Sequence, residues 1–205
     1  MWIKEEAPKV NGKRNRKTVW VCPFYSRWKH MLKRCFSNKF KTENPTYKDV
    51  TCCEEWLTFS NFKSWMETQD WEGKQLDKDL LVYKNKIYSP ETCVFIDKRL
   101  NTFLVKSNKT RGIYPIGVYY KEKSHSMVNE RFNCYLASIS SGNYSKYLGN
   151  FSTIEEAHKA WQKARIKKAQ DLAASQTDER VIKGLQRVID KIQYDLDNNL
   201  ITEDF

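Results

Sequence analysis

The sequence predicts an α+β fold built from small modules, and three patterns carry that prediction. Residues 20–66 repeat apolar side chains at helical spacing, whereas residues 117–149 alternate apolar and polar side chains as strands do. Helical periodicity returns after Thr153. The length of 205 residues suits two small domains with appendages. We expect a basic flexible arm at 1–19, a small helical and ββα module at 20–105, a three-stranded antiparallel sheet packed on a helix at 106–168, and an amphipathic helical extension at 169–205.

The chain is strongly basic, with 36 Lys and Arg against 25 Asp and Glu and a net charge of +11. Two basic segments, 1–50 and 102–168, flank a mildly acidic segment at 51–101. Basic flanks can hold nucleic-acid phosphates while an acidic centre holds a metal ion, although solvated surface charge is the alternative for each segment. In the flexible arm, Arg14 and Arg16 belong to a compact basic cluster and are candidate contacts to DNA phosphates.

Hydropathy and cysteine usage indicate a cytoplasmic protein. No apolar run approaches the roughly 20 residues that a membrane span needs, and the N-terminus lacks the apolar core of a signal peptide. In that compartment the six cysteines should be reduced thiols. They form no CxxC pair, so buried small apolar residues are favoured over a structural zinc site.

Two amphipathic helices are expected in the first module. The first follows Pro23 and places Trp28 and Met31 on its apolar face. The second spans residues 54–66 and has a broad apolar face that includes its tryptophans. Because the tryptophans sit at helical spacing on one side, we expect them in a core rather than in contact with bases.

Residues 71–104 predict a strand, a loop with Asn85, a second strand and a short helix. Small metal-dependent nuclease sites use this order of elements, and they bind a hard cation through carboxylate and carbonyl oxygens. Asp77 near the end of the first strand and Asn101 in the helix are therefore candidate ligands of one hard cation. Ordinary turn and cap residues are the alternative, because Asp and Asn are common in both.

The segment from Gly117 to Trp161 predicts a sheet with one polar face, backed by a helix that a capping box at Thr153 and Glu156 starts. His158 on this helix is expected at the surface. Arginine can bond guanine, asparagine can pair with adenine, and tyrosine can pack on a sugar or a thymine methyl, so the polar face suits a DNA major groove. The predicted outer face carries Tyr119, Lys121, Arg131, Asn133, Tyr135 and Tyr147.

A last helix is expected to start at Thr177. A narrow apolar stripe runs along it, formed by Ile182, Leu185, Ile189, Ile192 and Leu196. Packing against the rest of the chain and a homodimer seam both explain such a stripe, and the sequence leaves the two open.

A first set of residues forms an ordered pattern: Arg34-Cys35-Phe36, Cys53-Glu54-Glu55-Trp56, Phe59, Asn61-Phe62, Trp65, Leu76-Asp77, Asp79, Tyr88, Pro90 and Cys93. This pattern resembles a family of mostly phage-encoded HNH-type endonucleases. A second set consists of Gly117-Val118, Phe132, Cys134, Leu136, Tyr147-Leu148-Gly149, Phe151 and Glu155-Glu156-Ala157. It resembles the plant ethylene-response-factor type of DNA-binding domain, which such endonucleases often carry at the C-terminus.

The resemblance implies a homing-type endonuclease that works in the cytoplasm of a phage-infected bacterium and cuts double-stranded DNA with a ββα-metal module. The resemblance also implies that Asp77 and Asn101 would hold the metal, magnesium or manganese. The histidine that acts as general base in this family is replaced by Lys78. Asp79 is the alternative base, and Lys78 could instead bind the scissile phosphate.

Two other functions remain open from the sequence. One is a DNA-binding or regulatory protein on the same scaffold that no longer cuts, which the lysine at position 78 favours. The other is an interaction adaptor that recruits a protein partner through the last helix.

Overall fold

The computed structural model describes residues 2–10, 13–105, 113–121, 134–141 and 144–205, with the backbone alone described in the first two strands and at residues 141 and 144. The chain divides into two compact units, Met1–Phe95 and Ile96–Phe205. Both contain helices and short strands, which confirms the α+β class.

The N-terminal segment forms a hairpin where the sequence predicted a flexible arm. Strand β1 (Trp2–Val10) pairs antiparallel with β2 (Lys13–Val21), and Glu6 lies opposite Arg16. The prediction gave most weight to the basic residues. It gave too little to the strand-forming residues at 18–21, where threonine, valine and tryptophan favour an extended chain.

Three helices build the rest of the first unit: α1 (Pro23–Phe36), α2 (Asn38–Glu43) and α3 (Phe59–Glu67). The predicted helix at 54–66 is interrupted, because residues 54–57 form a 3₁₀ turn and Thr58 is extended. The expectation of core tryptophans is confirmed by Trp56, which is 1% exposed. The core of this unit consists of Met31, Cys35, Val50, Trp56, Phe62, Met66, Tyr88, Cys93 and Phe95.

Four short strands belong to this part of the chain, and two of them, β4 and β6, lie where strands were predicted. β3 (Thr51–Cys52) pairs parallel with β5 (Ile87–Tyr88), and β4 (Gln75–Asp77) pairs with β6 (Val94–Ile96). Helix α4 (Lys98–Leu104) comes next and is capped by Asp97, which accepts a hydrogen bond from the Leu100 backbone N–H at 2.7 Å. The sequence missed β5, because a two-residue strand has no detectable period.

The second unit contains an antiparallel sheet of β7 (Val118–Lys121), β8 (Cys134–Ser141) and β9 (Tyr144–Phe151), with β8 in the middle. Helix α5 (Ile154–Ala174) covers one face, where its Ala157 packs against Val118 and Ala137. Gly117 has a φ of 78°, and a Cβ atom there would lie 2.0 Å from Cδ1 of Trp161. Only glycine therefore fits at this approach of the strand to the helix.

Helix α5 continues through the boundary predicted after residue 168, and α6 (Glu179–Asp197) packs against it. Leu185, Ile189 and Ile192 are buried in this contact region of the second unit. The stripe that suggested a homodimer is thus occupied within the chain, as the core-packing alternative expected. The chain then turns back after Asn198, and Thr202 and Phe205 are buried.

Candidate active site and candidate DNA interface

Asp77 ends β4 and organises the turn that follows. Its Oδ1 atom accepts hydrogen bonds from the backbone N–H groups of Asp79 at 2.9 Å and Leu80 at 2.7 Å. Burial raises the pKa of Asp77 above its ordinary value, although the two N–H groups oppose that shift. Its Oδ2 atom accepts no hydrogen bond from the residues that the structure describes. The carboxylate therefore caps a turn and keeps one oxygen for another partner.

Lys78 is buried, with 6% of its surface exposed, and its ammonium group makes two hydrogen bonds. The Nζ atom lies 2.5 Å from Oδ1 of Asp79 and donates to the Asn85 carbonyl oxygen at 3.0 Å. Asn85 returns a bond from Nδ2 to the Lys78 carbonyl oxygen at 2.7 Å. The same ammonium lies 5.8 Å from the ring centre of Tyr47. Lys78 thus closes the loop between β4 and β5, a structural task that leaves it poorly placed to take a proton from water.

Asp79 differs from Lys78 because its side chain is 56% exposed while it forms the same ion pair. One face of its carboxylate reaches water, so of the three predicted catalytic residues it is the one best placed to accept a proton from solvent.

Asn101 lies in the second turn of α4, where its backbone N–H bonds the Asp97 carbonyl oxygen at 2.9 Å. Asp77 belongs to the first unit of the chain, and Asn101 belongs to the second. Carboxylate and amide oxygens are the donors that magnesium and manganese prefer, and Oδ2 of Asp77 fits that requirement. Over the described ranges, no three His, Cys, Asp or Glu side chains are grouped so that they could hold a metal ion.

Arg34 is a site residue that the sequence interpretation missed. It projects from α1, and its Nη1 atom donates to the hydroxyl of buried Tyr88 at 3.3 Å. Burial alone would lower the pKa of Arg34, but Tyr88, Tyr47 and Asp77 raise it above its ordinary value overall. The guanidinium is therefore close enough to Asp77 for the two charges to interact. The Arg34-Cys35-Phe36 match was the available signal, but no role was assigned to its arginine.

The outer face of the sheet, meaning the face away from α5, carries two of the predicted tyrosines. Tyr119 on β7 lies opposite Leu136 and is 58% exposed. Tyr147 on β9 lies opposite Ser138 and is 56% exposed. Lys121 shares this face, since it lies opposite Cys134 at a position two residues from Tyr119.

The prediction that Tyr135 lies on the outer face is wrong. Tyr135 is opposite Tyr120 and Phe151, on the same side as buried Ala137. Its ring lies 5.8 Å from Tyr114 and 5.5 Å from Tyr120, and it packs against the core. The prediction gave β8 the opposite phase, because it treated Cys134 and Leu136 as more apolar than Tyr135. The predicted contacts Arg131 and Asn133 lie outside the described residues, and Arg14 and Arg16 lie in β2, where the backbone alone is described.

His158 is 2% exposed, so the expectation of a surface residue is wrong. Its Nδ1 atom lies 3.2 Å from the Ile116 carbonyl oxygen, and its Nε2 atom accepts the Thr202 backbone N–H at 2.9 Å. One turn further along α5, Gln162 donates to the Leu200 carbonyl oxygen and to the Thr202 hydroxyl, both at 3.0 Å. The C-terminal segment therefore covers a polar strip of α5.

Arg165 continues that strip and is 5% exposed. It donates to the Phe103 carbonyl oxygen, and its guanidinium carbon lies 3.7 Å from the Phe103 ring centre, 4.9 Å from that of Phe205 and 5.8 Å from that of Trp161. Burial lowers the pKa of Arg165 to about 9. Its Nε atom has no hydrogen-bond partner among the described residues.

Comparisons with known proteins give no relative for this chain: no family model, no curated protein and no solved structure matches it. Within the described part of the chain, none of the helices combines the length and apolar character that crossing a membrane requires.

Proposed function

We propose that this protein binds double-stranded DNA through the outer face of its three-stranded sheet and hydrolyses a phosphodiester bond of that DNA. The observation that carries the proposal is the exposure of Tyr119 and Tyr147 on one face of a helix-backed antiparallel sheet. Exposed aromatic rings on such a face can pack on sugars and thymine methyl groups in a major groove. The net charge of +11 supplies attraction to phosphates that does not depend on sequence.

Cleavage is assigned to the turn after β4. Asp77 would hold a magnesium or manganese ion through Oδ2, since carboxylate oxygens are donors that these ions prefer. Such an ion lowers the pKa of a bound water and neutralises charge on the phosphate. Asp79 would accept the proton of that water, because half of its side chain is exposed. Lys78 would hold Asp79 in place through their 2.5 Å ion pair.

The second candidate function is a DNA-binding or regulatory protein that does not cut. It is favoured by the hydrogen bonds within the turn after β4. Asp77 already accepts two backbone N–H groups, and Lys78 already donates to Asp79 and to the Asn85 carbonyl oxygen. Every predicted catalytic residue thus has a structural task that explains its presence without a reaction.

A supercoiled-plasmid assay with magnesium, manganese or EDTA separates the two functions. The plasmids carry DNA from the source genome and from a close relative, and DNA binding is followed in parallel by a salt-dependent gel shift. The test variant is Asp77→Asn, which removes the charge but keeps an oxygen that can accept both backbone N–H bonds. Nicking that needs metal and is lost in Asp77→Asn, with DNA binding retained, supports the endonuclease.

Binding without nicking supports the non-catalytic protein. Tyr119→Ser and Tyr147→Ser test the interface in the same gel shift, with Tyr194→Ser on α6 as a matched exposed control. Unchanged DNA affinity in the two sheet variants would contradict the proposed interface. Failure of the native protein to bind any DNA at low salt would sink both functions and leave the adaptor.

A further inference from the structure

Helix α1 carries a concentrated positive charge and lies in the basic segment 1–50, for which the sequence left phosphate binding and solvated surface charge open. Its 14 residues include no Asp or Glu. Its basic face, as we call it, consists of Arg27, Lys29, His30, Lys33 and Arg34.

His30 reports the strength of that charge. Its pKa is lowered by partial burial and then by Arg34, Arg27, Lys33 and Lys29 in turn. Four cations act on one imidazole, which shows that their fields add at this point of the surface. A surface where like charges crowd together is stabilised when an anion binds there.

Two members of the basic face are held in place by hydrogen bonds, and a third lies over an aromatic ring. Arg27 donates from Nη2 to the Lys74 carbonyl oxygen at 2.9 Å, and Arg34 donates to the Tyr88 hydroxyl at 3.3 Å. Lys33 lies over the ring of Phe40 at 5.5 Å. Ordered cations lose less side-chain entropy on binding than freely moving ones, so this face is prepared for an anion.

Arg34 has a position that the other members of the basic face lack. Its side chain is half-buried and donates a hydrogen bond to the hydroxyl of Tyr88. Its positive charge also interacts with Asp77, which belongs to the same unit. Tyr47 is a neighbour of both Arg34 and Lys78, which places the guanidinium beside the loop that Lys78 closes. The hydrogen bond to Tyr88 uses Nη1, so the fork of Nη2 and Nε has no other partner among the described residues.

We propose that the basic face of α1 binds the DNA backbone and that Arg34 holds the phosphate group that lies beside Asp77. A guanidinium can offer two parallel N–H groups to two phosphate oxygens, which fixes the orientation of the phosphate as well as its position. The inference rests on the proposed function, because it names a second DNA contact and assigns it to the unit that contains Asp77. The sheet would then choose the site, and α1 would deliver a phosphate to the turn after β4.

The first test uses the full-length protein in EDTA, so that no DNA is cut, and a short duplex of mixed sequence. The pKa of the His30 imidazole is measured by NMR without and with the duplex, and a His30→Gln variant assigns the signal. Phosphates that neutralise the neighbouring cations should raise the pKa of His30 towards its ordinary value.

The second test compares Arg34→Gln and Arg34→Lys with Lys183→Gln, an equal loss of charge at an exposed position of α6. Loss of one phosphate contact should reduce the slope of log Kd against log salt by about one in Arg34→Gln, whereas Lys183→Gln keeps the native slope. Arg34→Lys should keep most of the affinity but lose roughly a hundredfold in nicking rate at saturating DNA, because a lysine cannot replace the fork.

The outcomes separate this inference from the proposed function. DNA binding with an unchanged pKa of His30, and with the salt slopes of Arg34→Gln and Lys183→Gln equal, overturns the inference and leaves the sheet interface standing. Failure of the native protein to bind the duplex overturns both. A raised pKa of His30 together with the reduced slope in Arg34→Gln supports the inference, and the His30 measurement remains decisive if the Arg34 variants fail to fold.

Discussion

The two units each bury a cationic side chain to the same degree, and they accommodate it in different ways. Lys78 in the first unit is 6% exposed and reaches a carboxylate and a backbone carbonyl. Arg165 in the second unit is 5% exposed and reaches a backbone carbonyl and three aromatic rings, with no carboxylate partner in the described part of the chain. One cation is matched by an opposite charge at the surface, the other by ring faces in a core.

This difference between the surroundings of Lys78 and Arg165 indicates which interactions stabilise each region. The partner of Lys78 is a 56% exposed Asp79, so water already screens that ion pair and limits its contribution. The rings around Arg165 gain from packing along its stem as well as from the charge. The guanidinium still loses hydration, and this loss lowers the pKa of Arg165 to about 9. The second unit therefore depends on the shape of Arg165, and the first unit depends on the hydrogen bonds of Lys78.

The largest effect is expected for Arg165→Ala. Removing the side chain leaves a cavity among Phe103, Trp161 and Phe205, and such losses reduce the free energy of unfolding by about 3–5 kcal/mol. Denaturant melts followed by tryptophan fluorescence measure it. A loss below about 1 kcal/mol would show that the aromatic rings close over the gap, and the contrast with Lys78 would then collapse.

A smaller effect is expected for Lys78→Met, which keeps the length of the side chain but removes its two hydrogen bonds. The Asn85 carbonyl loses its donor, so we expect a loss of about 1–3 kcal/mol in the same melts. The control Asp79→Asn should lose less than about 1 kcal/mol, because its carboxylate is exposed. Equal losses in the two variants would mean that the ion pair, and not the bond to Asn85, holds the loop.

Arg165→Met should behave unlike Lys78→Met at neutral pH. A methionine fills a similar volume without a charge to desolvate, so the free energy of unfolding should stay within about 1 kcal/mol of the native value or rise. Since burial lowers the pKa of Arg165 to about 9, its unfavourable charge is present below that pH and is relieved as the pH rises through it. Above that pH the free energy of unfolding of the native protein should therefore rise relative to that of Arg165→Met. A difference between the two that stays constant with pH would contradict the lowered pKa of Arg165.

The smallest effect is expected for the stability of Asp77→Asn, since the amide oxygen can still accept both backbone N–H bonds. Burial raises the pKa of Asp77, so the folded state holds its proton at a higher pH than the unfolded chain does. Native stability relative to Asp77→Asn should therefore fall slightly as the pH rises through that raised pKa, and pH-dependent melts of the two proteins measure the difference. If the free energy of unfolding of the native protein instead rises relative to that of the variant as the pH increases, the folded structure stabilises the charged carboxylate of Asp77.

The parts of this fold that the sequence predicts are those with local causes. The order of elements around Asp77 and Asn101 follows from turn residues and short apolar runs, and the Thr153 cap starts α5 where it was expected. The burial of His158 has no local cause, because its partner Thr202 lies 44 residues further along the chain. The anchoring of Arg34 on Tyr88 spans 54 residues and is hidden in the same way.

The phase of β8 could not be predicted for a different reason. Both faces of that strand carry apolar or aromatic residues, so alternation alone gives two solutions. The choice is made by Val118 and Ala157, which meet Ala137 and fix Tyr135 on the same side.

The irregularity between β8 and β9 determines which residues of β9 lie on the proposed DNA interface. Ala137 lies opposite Gly149 and Ser138 opposite Tyr147, so Leu148 is an extra residue in β9, and Gly149 accommodates it with a φ of 141°. In a regular strand Tyr147 and Phe151 would point the same way, because they are four residues apart. The extra residue inverts the parity, so that Phe151 points into the core while Tyr147 faces solvent. A single-residue insertion thus lets one short strand supply both a core residue, Phe151, and an exposed tyrosine of the proposed DNA interface.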